Sequence, residues 1–117
     1  MTRRATDEFL PLKPVDLELL LALASEDRHG YGLVQEIADH TNGLIVLDPG
    51  NLYRVIKRLL ADELIHESPA RAAAGDDRRR YYRITALGGR VLAAELERLR
   101  ALVSAPSTQA AAQRFTP

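Results

Sequence analysis

The sequence predicts a mainly α-helical domain that carries a small β-hairpin. Three observations predict it. Four segments place apolar residues at helical spacing, each bounded by a cap, a proline or a stop signal. Two short runs, residues 64–67 and 80–84, flank a polar stretch and read as paired strands. Hydrophobic residues make up 46% of 117, enough for one ordinary core.

The elements follow in order. Residues 1–13 read as a loose N-terminal arm whose Phe9, Leu10 and Leu12 can dock. Pro14 suits the first position of a helix, where a missing N–H loses no partner. Residues 15–24 are nearly all apolar (Val15, Leu17, Leu19, Leu20, Leu21, Leu23), so this helix is expected to be buried on most sides. Asp16 and Glu18 suit the positive end of its dipole. Asp27-Arg28-His29-Gly30 reads as a turn. A second helix is expected over residues 31–41, with Leu33, Ile37 and Ala38 inward and Asn42-Gly43 as its stop. Leu44-Ile45-Val46-Leu47 is too short for a helix and is predicted to be a small strand.

Asp48 and Pro49 predict the start of a third helix, as cap and first residue. At about 100° per residue, Leu52, Val55, Ile56, Leu59 and Leu60 share one arc. Gly50, Arg54, Lys57 and Ala61 lie opposite, with Asn51, Tyr53 and Arg58 on the flanks. One face goes to the core; the other presents cations among small residues. The stretch 68–79 is rich in Ala, Arg, Asp and Gly and predicts a flexible hairpin tip bearing Arg71, Arg78 and Arg79. Alternation along the second strand puts one of Tyr81 and Tyr82 in the core. Thr85 caps a last helix over residues 86–103. Leu92, Leu96, Leu99 and Val103 recur along it like a coiled-coil seam. This helix spans about 27 Å, more than one small domain needs, so dimerisation through it is expected. The boundaries read as arm 1–13, winged helix-turn-helix domain 14–85, dimerisation helix 86–104 and mobile tail 105–117.

The formal net charge is zero but polarised: residues 1–50 carry −5, residues 51–83 carry +3 and residues 84–117 carry +2. A neutral protein with a basic half can bind phosphate. A helix with one apolar and one basic face can lie in the DNA major groove while anchored to a core, and a basic hairpin beside it can reach a neighbouring phosphate. The expected DNA contacts are Gly50, Asn51, Tyr53, Arg54, Lys57 and Arg58 on the helix and Arg78 and Arg79 on the hairpin.

These residues resemble those of a known family. His29-Gly30-Tyr31-Gly32 resembles the HGY signature of PadR-type regulators. Pro49-Gly50-Asn51-Leu52-Tyr53 with Lys57-Arg58-Leu59 resembles their PGTLY…KRL recognition helix. Residues 78–85 resemble their RRRYYRLT strand. The resemblance spans residues 12–103. It implies a homodimeric transcription factor, a repressor, on a roughly palindromic operator, with a small-molecule effector as a further expected partner. Relatives with a single C-terminal helix can bind flat aromatic compounds in a dimer-interface pore. This chain has no Trp, so a pocket here is expected to be aliphatic or missing. Asn51 stands where the family usually has Thr, which bears on sequence preference. Glu63 stands where it usually has a helix-ending Gly, and a left-handed Glu there is strained.

Other classes fit less well. No cysteine is present, which excludes disulfides and thiolate metal sites. His29, His40 and His66 fall in separate elements without metal spacing, and His29 is expected to serve the turn by bonding backbone. No metal or cofactor is expected. Gly30 and Gly32 do not form a phosphate loop, and no nucleophile motif appears, so no enzyme is expected. No apolar run of about 18 residues occurs and the N-terminus lacks a leader pattern, so a bacterial cytoplasmic location without membrane contact is expected. The alternative is a winged-helix protein-protein interaction module without DNA binding, against which the basic helix face argues. A MarR-like regulator would need longer flanking helices.

Overall fold

The computed structural model describes residues 6–68 and 80–117. Its elements are α1 (Pro14–Ser25), β1 (Arg28–His29), α2 (Gly30–His40), α3 (Pro49–Ala61), β2 (Ile65–Glu67), β3 (Tyr81–Ile84), α4 (Ala86–Ser104) and α5 (Pro106–Phe115). This is the winged helix-turn-helix architecture: mainly helical, with one small antiparallel sheet.

α1 is apolar over most of its surface and sits at the centre. Leu19, Leu20, Ala22 and Leu23 are buried, and Leu17 and Leu21 are half-buried. Leu33 and Ile37 of α2, Leu52, Ile56 and Leu59 of α3, and Val91 and Leu92 of α4 close the core around it. The arm docks as expected, with Phe9, Leu10 and Leu12 packed against this core.

Asp48 and Thr85 cap as expected, and His29, read within the turn, caps α2. His29 Nδ1 accepts the Gly32 N–H at 3.1 Å, Asp48 Oδ1 the Asn51 N–H at 2.8 Å, and Thr85 Oγ1 the Gly88 N–H at 2.9 Å. Each satisfies a donor that the first helical turn leaves free. Helices α2 and α3 end alike. In α2 the Asn42 N–H reaches Asp39 O and the Gly43 N–H reaches Ala38 O; in α3 the Glu63 N–H reaches Leu60 O and the Leu64 N–H reaches Leu59 O. The residue that turns the chain is Asn42 at φ 53° in one and Glu63 at φ 59° in the other. Asn tolerates the left-handed region; Glu has no such compensation. Glu63→Gly is expected to raise stability by about 1 kcal/mol, read as a higher midpoint in thermal unfolding. An unchanged or lower midpoint would show that the side chain contributes something at this turn.

Three expectations are corrected. The run 44–47 is not a strand. The sheet order is β1-β3-β2, and the third strand is Arg28–His29, which pairs with Tyr82 and Tyr81. With β1 and β2 on both sides of β3, the apolar run has no edge to join there. It has no regular secondary structure, with Ile45 and Leu47 packed against the core and Leu44 and Val46 exposed. Secondly, Tyr81 and Tyr82 are both buried. Tyr82 enters the core, and Tyr81 lies under the His29 ring in an edge-on contact at 5.2 Å. Thirdly, the segment read as a mobile tail carries α5, started by Pro106, though none of its residues is buried. The hairpin tip with Arg71, Arg78 and Arg79 lies outside the described residues, as do residues 1–5.

The first half of α4 belongs to the core. Leu92, expected in the dimer seam, is buried within its own domain. Glu95 is buried too. Its carboxylate accepts from Arg98 Nε at 2.6 Å and from the Leu12 N–H at 3.1 Å, tying the arm to α4. The Arg98 hydrogen bonds outweigh burial and, with the Leu12 N–H, hold the Glu95 carboxyl below the usual carboxylate range. Folding therefore favours the charged form, and this contribution is present at neutral pH and lost as pH falls below the ordinary value of about 4.5. Glu95→Gln is expected to be less stable at pH 7 and to show a flatter acid decline in urea unfolding at stepped pH. A decline as steep as in the parent would place its origin elsewhere.

Candidate nucleic-acid interface

α3 arises where an acidic cap and a proline start a helix, and where Leu52, Ile56 and Leu59 drive one side into the core. The opposite side is left to solvent. There Gly50, Asn51, Tyr53, Arg54 and Lys57 are all exposed, Tyr53 at 64%. Gly30 in the first turn of α2 lets the two helices approach: a methyl group there would lie 3.3 Å from Leu52 Cδ2.

Two of these side chains, Asn51 and Arg54, form a chain with Asp48 at i, i+3 spacing. Asp48 Oδ2 accepts from Asn51 Nδ2 at 2.9 Å, and Asn51 Oδ1 accepts from Arg54 Nη2. The cap thus orients the amide, and the amide orients the guanidinium along the exposed face. Asn51 accepts from Arg54 through Oδ1 and donates to Asp48 through Nδ2, so two separate atoms carry the roles that a Thr hydroxyl would have to combine in one.

Arg58 behaves differently from its expected role. Its Nη1 and Nη2 donate to the two oxygens of buried Asp16, at 2.7 and 2.9 Å. The hydrogen bond to the carboxylate raises the Arg58 pKa further above its usual value. Arg58 bolts α3 to α1 and so positions the helix, whereas Arg54 and Lys57 stay on the open face.

On the wing side a cleft of about 250 Å³ lies between α3 and β3, bordered by Tyr53, Lys57, Arg80 and Tyr82. Burial, reinforced by the Glu67 carboxylate, raises the Tyr82 pKa, so its hydroxyl keeps its proton. Arg80 is the residue that sequence reasoning left out. It is exposed, 3.6 Å from Glu67, and shares the cleft with Lys57. Its place in an arginine run was visible; which arginine faces the helix depends on where β3 begins. Arg78 and Arg79 are outside the described residues. The structure thus brings together Gly50, Asn51, Tyr53, Arg54 and Lys57, adds Arg80, and sets Arg58 apart.

A second surface lies on α4. Beyond Leu92, Leu96 is 42% exposed, Leu99 half-buried and Val103 57% exposed, with Leu102 also open. Among the described residues no cluster of His, Asp or Glu could hold a metal ion, and no helix is long and apolar enough to cross a membrane.

A winged helix-turn-helix with a cationic exposed face on its third helix defines a DNA-binding regulator. The sequence profile of the transcriptional regulator PadR-like family matches residues 19–94, and the chain belongs to that family. It is a transcriptional regulator, not an enzyme. A protein from Lysinibacillus sphaericus described as "Uncharacterized protein X" is 36% identical over 74 residues, which cover 63% of this chain and 67% of that one. A transcriptional regulator from Clostridium thermocellum superposes with a TM-score of 0.64 at 27% identity, covering 88% of this chain and 90% of that one. A PadR family transcription regulator from Clostridium difficile gives 0.63 at 22% identity, covering 88% and 98%. RosR of H. salinarum gives 0.66 at 20% identity, covering 92% of each, and like the previous one speaks for the fold.

Proposed function

We propose that the protein represses transcription as a homodimer bound to a pseudo-palindromic operator. The observation that carries this is the division of exposed surface between two helices: cations on α3 and aliphatic side chains on the end of α4. In this reading α3 enters the major groove. Arg54 and Asn51 meet base edges, Lys57 and the Tyr53 hydroxyl meet phosphate, and Gly50 admits the backbone close to the duplex. Arg80, with Arg78 and Arg79 of the wing, adds phosphate contacts. Arg58 acts through Asp16 and positions the helix. Leu96, Leu99 and Val103, with Leu102 in place of buried Leu92, pair with the same face of a second copy. A two-fold dimer sets the two α3 helices about 34 Å apart, one DNA turn, which asks for a palindromic site. Repression follows from occupancy of a promoter, and a regulator on the chromosome works in the cytoplasm. A small-molecule effector releases it.

The test is fluorescence anisotropy with DNA from the gene's own promoter region across a salt series, beside light scattering for mass. A dimer that binds this DNA well above random DNA, with affinity falling steeply as salt rises, is the expected result. A folded dimer that binds both DNAs equally weakly would favour a winged-helix module that docks on protein.

A further inference from the structure

The strongest unassigned feature is a groove of about 670 Å³ between the start of α1, the segment 44–48 and α3. It lies apart from the exposed end of α4. Small-molecule sites span about 300 to 1,000 Å³ and combine apolar walls with a few polar groups. The walls here are Val15, Ile45, Leu47 and Val55, branched aliphatic side chains with no aromatic ring among them. Phosphate or water alone cannot cover such a surface favourably.

The charge is one-sided. Asp16 borders the groove, but both its oxygens accept from Arg58. Lys13 and Arg54 border it as well, and among the described residues neither has a carboxylate partner. Among the described residues, the hydrogen-bond partner of Arg54 is the neutral amide of Asn51. We propose that this groove binds an amphipathic organic anion, an aliphatic chain ending in a carboxylate, and that the bound carboxylate draws Arg54 away from DNA. The alkyl chain lies on Val15, Ile45, Leu47 and Val55, and the carboxylate reaches Lys13 and Arg54. The segment 44–48 forms one wall without belonging to the sheet; its Ile45 N–H is held by Thr41 Oγ1 at 3.0 Å. The coupling to DNA rests on α3 being the DNA-contacting helix; the site itself does not.

The experiment is a ¹H–¹⁵N NMR titration of the full chain with decanoate, beside the neutral decanol, followed by DNA binding with and without saturating decanoate. Expected are saturable shifts at the amides of Val15, Ile45 and Val55, weaker binding of decanol, and a DNA dissociation constant raised about tenfold by decanoate. Lys13→Glu, an exposed position that leaves the fold intact, is expected to weaken decanoate about tenfold. Shifts confined to Leu96, Leu99 and Val103 would overturn the site, as would decanol binding equally well, an unaffected Lys13→Glu, or no saturable shift. A groove that fills while DNA stays bound would overturn the link to Arg54. Groove protection by a second copy, seen as loss of the shifts on dimerisation, would also overturn it. DNA binding by the ligand-free protein reports on α3 separately.

Discussion

Gly88→Ala is expected to destabilise the domain by about 3 kcal/mol, while Gly89→Ala, one residue on, is expected to stabilise it by about 0.5 to 1 kcal/mol. A methyl group on Gly88 would lie 2.0 Å from the Leu64 carbonyl oxygen and 2.9 Å from Ile84 Cγ1. No rotamer can relieve the first contact, because both atoms belong to the chain's framework. Nor can the backbone shift freely. Leu64 O accepts the Thr85 N–H at 3.0 Å, and Thr85 Oγ1 bridges the Gly88 N–H at 2.9 Å and Glu63 O at 2.7 Å. Backing α4 away to admit a methyl group breaks this cap, worth about 1 kcal/mol, in addition to the overpacking cost of about 1 to 3 kcal/mol. Against a total stability of about 5 to 15 kcal/mol for a domain of this kind, the loss is large. Among the described residues nothing lies within 4 Å of a methyl group on Gly89, so there the helix preference for alanine decides. Urea unfolding of the pair checks both signs in one experiment. Equal stability of the two variants would show that α4 does not press on Leu64 as described.

The two glycines show where the sequence stops speaking. Both sit in a helix started by Thr85, and that start was readable from the residues alone. Which glycine is a contact and which a weak point depends on the distance to Leu64, more than twenty positions away in the chain. The same divide runs through the rest of the molecule. Caps, prolines and apolar spacing are local, and they located α1 to α4 closely. Strand pairing is not local. Residues 44–47 have the composition of a strand but pair with none, both sides of β3 being taken, whereas Arg28–His29 has the composition of a turn and pairs with β3. α5 was missed for a different reason. An alanine-rich stretch behind Pro106 satisfies helix propensity, but it buries nothing, so the usual amphipathic signal is weak. At the interface the helical wheel located the exposed face of α3 correctly from Gly50 to Lys57. It could not show that Arg58, on the flank of that face, finds Asp16 across the core edge, since the pairing is set by how α1 crosses α3. Asp16 read as a dipole-matching residue is therefore an anchor, and Leu92 read as part of a seam is core.

Replacing Arg54 and Lys57 together by alanine is expected to weaken specific DNA binding about a hundredfold while leaving fold and assembly unchanged. Both side chains are exposed on the side of α3 away from Leu52, Ile56 and Leu59, so their removal takes nothing from the core. The α4 face proposed for assembly lies elsewhere. The two losses should differ in kind. Arg54 is held by Asn51 and Asp48 in an ordered chain. An oriented guanidinium suits a bidentate base edge, and losing such a contact costs about 1 to 3 kcal/mol and relaxes the preference at one base pair. Lys57 is a point charge beside the wing cleft; losing a phosphate contact weakens all sequences alike and lowers the salt slope by about one. Anisotropy titrations of the single and double variants on the operator and on scrambled DNA, each at several salt concentrations, separate these effects. Arg58→Ala makes the contrast. If Arg58 only positions α3 through Asp16, that variant loses thermal stability as well as affinity, and its salt slope stays near the parent's. A double variant that binds DNA as the parent does would move the contact surface off α3 altogether, and with it the reason for the Asp48-Asn51-Arg54 chain.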